Sequence, residues 1–286
     1  MRPVMLSRLL DALQEQKTDD LFTYSIVIVD NDSGESARQI VDSLKYRAGV
    51  SIQYYVEPER NIALVRNKAI AHAEGDYLAF IDDDEFPLMD WLLNLYKACR
   101  IYLAMGILGP VKPDFEINPP AWVVKSKLCD RKSFKTGEFF ENAKYTKTGN
   151  VMLDRTIFNG NQTPFDPQFK TGGEDVDFFA RMMKQGYRFA WCEEACVYET
   201  VTVERLRRIY YIKRALLRGS HNARNRSLIS IDTLRSLSAV VLYTTSLPVL
   251  LFLGHHFFMD YLIKDCDHLG KLLAYCGIRP IKERGF

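Results

Sequence analysis

The sequence predicts an α/β fold with a mostly parallel central sheet, continued by a C-terminal helical segment of different character. Three observations predict it. Short β-branched runs alternate with stretches of helical periodicity, the runs stop at residues rich in Asp, Asn and Gly, and residues 236–259 contain no Asp, Glu, Lys or Arg. The 286 residues are 47% hydrophobic and 26% charged, enough for a large domain with an appendage and too apolar for a disordered chain. A formal net charge of +2 gives no general basis for nucleic-acid binding.

Taken in order, Leu6, Leu9, Leu10 and Leu13 form one stripe of a helix over about 4–16. Residues 24–29 make a strand that ends at Asp30-Asn31-Asp32-Ser33-Gly34, and a helix follows over 35–45. A strand at 51–56, a helix at 62–73 and a strand at 76–81 lead into Asp82-Asp83-Asp84. Strands alternating with helices imply parallel pairing, and such sheets bind ligands beyond the carboxyl ends of their strands. Both Asp30 and the acidic run fall there. After a helix over 91–103 the pattern loosens through Pro110, Pro113, Pro119 and Pro120 to Lys147. Order returns at 148–153, in a helix entered through Gly172-Gly173-Glu174-Asp175, and in strands at 187–191 and 195–198.

The boundary between a first domain, residues 1–203, and a basic and apolar tail, 204–286, is set by composition. From Glu204 to Arg226 there are eight basic residues and one acid. The charge-free stretch that follows is long enough to span a bilayer, whereas Thr244, Thr245, Ser246, Pro248, His255 and His256 suit an amphipathic hairpin in one leaflet equally well. A buried helix pair is the soluble alternative. The basic segment would lie against anionic headgroups. The six cysteines show no CxxC spacing and no secretory leader is evident, which suits a reducing cytoplasm. Cys192 and Cys196 lack the second Cys/His pair that zinc requires.

Three successive carboxylates repel one another unless a cation compensates. Magnesium or manganese, held by one or two carboxylates with phosphates and water completing the shell, is the natural partner. If the run continues the strand, alternation turns Asp82 and Asp84 to one side.

Four motifs in order, the strand ending at Asp30, Asn61-Ile62-Ala63-Leu64-Val65-Arg66-Asn67, the strand ending in Asp82-Asp83-Asp84-Glu85, and Gly173-Glu174-Asp175-Val176-Asp177, resemble glycosyltransferase family 2 and its GT-A fold over about residues 3–225. The resemblance implies that Asp30 contacts the donor base, that Asn61, Arg66 and Asn67 frame the nucleotide, that Asp82 lies near the ribose and that Asp84 binds the metal, with Asp82 assisting. Either Glu174 or Asp175 would be the catalytic base, with Asp175 preferred. A sugar hydroxyl is a poor nucleophile and needs such a base, and a helix N-terminus keeps these carboxylates ionised. Relatives place a metal-binding His where this chain has Val197-Tyr198-Glu199-Thr200, which makes Glu199 the stand-in. Asn150 resembles an acceptor-side residue, and Trp122 and Trp191 are candidates for stacking on sugar rings.

Ala63 and Val65 replace the family's usual Gly and Ala, and the chain opens at the entrance to its first helix, so the reading expects a GT-A sheet without its first strand. The activity implied is metal-dependent, inverting transfer from a nucleotide-sugar donor, uridine-based, to a saccharide or lipid-linked saccharide in cell-surface polysaccharide synthesis. Its place would be the cytoplasmic face of the membrane, peripheral or monotopic. The alternative is a truncated, non-catalytic remnant serving as a binding or scaffold protein. A sugar nucleotidyltransferase would want an early Gly-rich phosphate loop with a nearby Lys, and none is visible.

Overall fold

A computed structural model describes residues 3–45, 49–160, 163–169, 172–222, 230–278 and 281. Arg224 and Arg226 of the basic run lie outside the described residues. In chain order the elements are α1 (Pro3–Gln14), β1 (Ile26–Asp30), α2 (Arg38–Lys45), β2 (Ile52–Val56), α3 (Ile62–His72), β3 (Tyr77–Ile81), β4 (Glu85–Pro87), α4 (Trp91–Tyr102), β5 (Gly106–Leu108) and β6 (Val111–Phe115). There follow α5 (Ala121–Lys125), β7 (Asn150–Asp154), α6 (Glu174–Lys184), β8 (Phe189–Trp191), β9 (Val197–Val201), α7 (Arg208–Asn222), α8 (Ile231–Leu253) and α9 (His255–Tyr275). They divide into two compact units, 1–114 with 131–200 and 115–130 with 201–286.

In the first unit, side-chain alternation along β5 and β7 builds two cores from one sheet. Ile107 and Met152 face a core completed by Leu6, Leu9 and Leu10 of α1, Val41 of α2 and Trp91 and Leu95 of α4. Leu108, Val151 and Leu153 face the opposite core, where Phe165, Phe178, Phe179 and Phe189 interlock edge to face or tilted. Burial on both faces fixes the register.

The sheet is mixed, which corrects the expectation of mostly parallel pairing. β1 and β2 run parallel, as do β5 and β8, but β7 is antiparallel to both β3 and β5. The strand order is β3-β7-β5-β8, with β1-β2 and β4-β9-β6 as separate sheets. β7 arrives after the long irregular stretch rather than through a βαβ crossover, so nothing obliges it to run parallel. Because Ile81 pairs with Asn150, the acidic run emerges beside Gly149.

The second unit is helical. Trp122, Val123, Leu206, Tyr211, Ala215, Met259 and Ile263 form its core. α9 packs on both α7 and α8. Gly219 and Gly270 let α7 and α9 approach closely, since a Cβ on either would sit 1.9 Å from the Asp267 carbonyl oxygen or 2.3 Å from that of Leu216. The charge-free stretch is not one helix. It breaks at Gly254, whose φ of 149° is open to glycine, so α8 and α9 form a hairpin. Among the described residues, α8 alone is long and apolar enough to cross a membrane by length and composition.

Candidate active site

The site is assembled where α3, the loop before α6 and the turn after β3 meet. Asn61 caps α3, its Oδ1 accepting from Ala63 N at 3.1 Å while Nδ2 donates to Pro167 O at 2.9 Å. Two turns on, Asn67 accepts from Phe165 N at 2.9 Å and donates to Phe165 O at 2.7 Å. These two amides tie the 163–169 loop to α3. The loop delivers Gly173, whose φ of +101° suits glycine at the helix entrance, and then Glu174 and Asp175 in the first turn of α6.

Between the two asparagines, Arg66 is 12% exposed and forms an ion pair with Glu174, itself buried. A second guanidinium nitrogen lies 4.0 Å from Asp82 Oδ1. Arg66 therefore links the first turn of α6 to the acidic turn. Glu174 keeps one buried oxygen, Oε2, without a hydrogen-bond partner. Asp175 differs: it is partly exposed, accepts only from its neighbour Val176 N at 2.8 Å and, among the described residues, makes no ion pair.

Asp82 to Asp84 form a tight turn between β3 and β4, not a continuation of the strand, so strand alternation does not set their directions. The turn closes with Glu85 N donating to Asp82 O at 3.1 Å, and Thr200 N donates to Asp84 O at 2.8 Å. Gly149 leaves room for two carboxylates, because a Cβ there would lie 2.9 Å from Glu85 Oε1 and 3.1 Å from Asp82 Oδ2. Asp82 is held above the usual carboxylate range by lost hydration, opposed by Arg66, with Asp84 and Asp83 adding repulsion. Its side chain is 48% exposed, so the crowding of charge matters here as well as burial. Glu85 is raised well above that range, first by burial and then by Asp82, with Arg131 opposing. Its Oε1 has no hydrogen-bond partner.

A hard cation fits these residues. An orphaned buried carboxylate oxygen beside a crowded acidic turn is compensated by positive charge. Among the described residues no three His, Cys, Asp or Glu side chains form a metal cage; Asp82 and Asp84 are oxygen donors of the kind that suit an ion sharing its shell with phosphates and water. Glu199 takes a different part. It pairs across from Glu85 in register and meets Arg131 at 2.5 Å, so its charge is matched by a guanidinium.

The other residues singled out in the sequence are buried or nearly so. Asp30 is 0% exposed, and its oxygens accept from Asp32 N at 3.0 Å, Ala37 N at 3.0 Å and Tyr54 OH at 2.8 Å. It closes the loop after β1. Asn61 and Asn67 spend their side chains on the α3 cap and the 163–169 loop. Asn150 is buried, accepts from Trp91 Nε1 at 2.8 Å and donates to Pro110 O at 3.0 Å and Ala195 O at 2.8 Å, so both amide hydrogens are engaged by protein. Trp122 lies in the core of the second unit, edge-on to Tyr211 and His255, and Trp191 is buried against Phe134 and Phe140. Glu85 and Arg131 were missed. Glu85 was legible as the end of the acidic run, whereas Arg131, in an irregular basic stretch, carried no signal.

Comparison with known proteins gives this geometry its family. The Glycosyl transferase family 2 matches residues 2–161. Succinoglycan biosynthesis protein ExoM of Rhizobium meliloti (strain 1021) is 29% identical over 225 residues, covering 77% of this chain and 70% of that protein. The structure of S. aureus TarS 1-349 in complex with UDP-GlcNAc superposes with a TM-score of 0.53 at 16% identity, over 96% of this chain and 88% of that one. GalNAc-T7 with UDP, GalNAc and Mn2+ gives 0.53 at 13% identity over 77% of this chain. The chain spans about half the length of the longer TarS chain, 52%, and of GalNAc-T7, 48%. The matched residues include α3 with Arg66 and the acidic turn, and the chain belongs to glycosyl transferase family 2, with the GT-A fold.

Proposed function

We propose that this glycosyltransferase moves a sugar from a uridine diphosphate donor to a saccharide acceptor, lipid-linked, in cell-surface polysaccharide synthesis. The observation that carries the reading is Arg66, which touches both Glu174 and Asp82 and so brings the candidate base and the candidate donor turn together. UDP-bound TarS and GalNAc-T7 structures among the fold relatives support the uridine donor, and ExoM supports the polysaccharide context.

Asp175 is the base. Its carboxylate is partly exposed and makes no ion pair among the described residues, and α6's N-terminal dipole favours the ionised form that accepts a proton from the acceptor hydroxyl. Glu174, held by Arg66, orients that turn. Asp82 and Asp84 would hold magnesium or manganese, which when bound neutralises charge developing on the departing diphosphate. One displacement assisted by one base inverts the anomeric centre. The basic α7 and apolar α8 support a peripheral or monotopic position on the cytoplasmic side, where basic residues concentrate. The test is UDP release from candidate UDP-sugars with manganese and lipid-linked acceptors. Equal release by the wild type and Asp84→Ala would overturn the metal role.

A further inference from the structure

The second unit contains a helix whose surface is arranged for hydrocarbon. On α8, Leu234, Leu237, Val241, Leu242, Val249 and Phe252 are all more than half exposed, Phe252 at 92%. At about 3.6 residues per turn these side chains, together with Leu251 and Leu253, which are also more than half exposed, spread over about 200° of the helix circumference. A partner helix covers a narrower stripe than that, whereas a lipid leaflet wraps such a surface.

Several polar groups of α8 face α9, while exposed Thr245 turns its hydroxyl back to Val241 O at 2.8 Å. Ser236 is buried, Thr244 Oγ1 bonds Asp265 Oδ2 of α9 at 3.0 Å, and Tyr243 meets Tyr261 and His268 of α9 edge-on or tilted. These contacts run antiparallel about Gly254 and carry α9 along the length of α8. α9 holds Asp260, Lys264, Asp265, Asp267 and Lys271. A spanning α8 would take these charges to the middle of the bilayer, where they are costly. An α8 lying flat keeps them at the headgroups. Charge points to the same surface: α7, which packs on α9, carries Arg208, Lys213, Arg214 and Arg218 and no acid.

We propose that α8 lies in the plane of one leaflet of an anionic membrane, its outer face embedded and α9 backing it from the headgroup side, a monotopic hairpin rather than a spanning one. This rests on the membrane part of the function proposed above and specifies its geometry.

The experiment uses the full chain and vesicles of phosphatidylcholine alone or with phosphatidylglycerol, free of any saccharide acceptor. Flotation is expected with the anionic vesicles, about tenfold or more above the neutral ones, and is lost in Leu237→Asp/Val241→Asp/Phe252→Asp. Those side chains are exposed, so helix content should hold. A fluorophore placed at Leu234→Cys, Val241→Cys or Phe252→Cys, in a Cys276→Ser background, is expected to be quenched equally by shallow doxyl lipids. Quenching of Val241 by deep doxyl lipid with shallow ends would mean a spanning helix and overturn the proposal. So would protein that remains in the aqueous fraction with both vesicles, or a soluble dimer that the triple variant dissociates. UDP release to a soluble saccharide acceptor, measured separately, reports on the transferase reading whatever the vesicles show.

Discussion

Two sets of buried polar side chains in the first unit differ in one respect. Around the caps and strand ends, Asp30, Asn61, Asn67 and Asn150 have every hydrogen-bonding group engaged by protein. Around the acidic turn, Glu85 and Glu174 each keep a buried oxygen without a partner, and Asp82 and Glu85 hold protons more tightly than usual. Native proteins leave few buried polar groups unpaired; Arg66 and Arg131 supply positive charge to Glu174 and Glu85, and among the described residues of the first unit Thr148 Oγ1 and Trp191 Nε1 are the other buried side-chain atoms without a partner. The first set is closed within the protein, and the second keeps open positions.

The largest effect should come from the open set. Asp175→Asn is expected to lower kcat by about 10²–10⁴-fold while UDP affinity by calorimetry stays near wild type. Wild-type turnover in this variant would remove Asp175 from the mechanism. Arg66→Ala leaves Glu174 buried and unmatched, and a loss of about 3–5 kcal/mol in urea unfolding is expected. Restoration by Glu174→Gln in the same chain would tie the loss to that pair. In the closed set, Asn150→Ala should cost about 1–3 kcal/mol for the buried groups it abandons, with kcat per folded molecule unchanged. A fall in kcat without a fall in stability would return Asn150 to the site.

Much of this was legible beforehand. The helices and strands of the first unit follow from periodicity, because one-sided burial writes itself into residue spacing, and Arg66, Asp82, Glu174 and Asp175 stand in short motifs. The direction of β7 was not legible, since it depends on a long connection that carries no pattern. Nor was the difference between open and closed amides. Asn61 and Arg66 sit in the same motif, yet only the folded loop at 163–169 shows that the asparagine is consumed by backbone and the arginine reaches two carboxylates. The hairpin break was half visible: Gly254 stands in the sequence, but only its positive φ divides the apolar stretch.

The smallest effect tests the comparison most closely. Glu85 is buried with an unpartnered oxygen, and its folded-state proton affinity is raised, first by burial. Such a group contributes stability that is fully present below the ordinary carboxylate range and is lost as pH rises through its raised value. Glu85→Gln removes the titration. At neutral pH, without added metal, the variant should be as stable as the wild type or slightly more so, because a buried charge has gone. The gap should close as pH falls below the ordinary carboxylate range, where both side chains are neutral. Urea unfolding across that range measures it. A variant less stable than wild type at neutral pH would mean that Glu85 is already compensated by Arg131 at 3.8 Å, and would move it from the open set to the closed one.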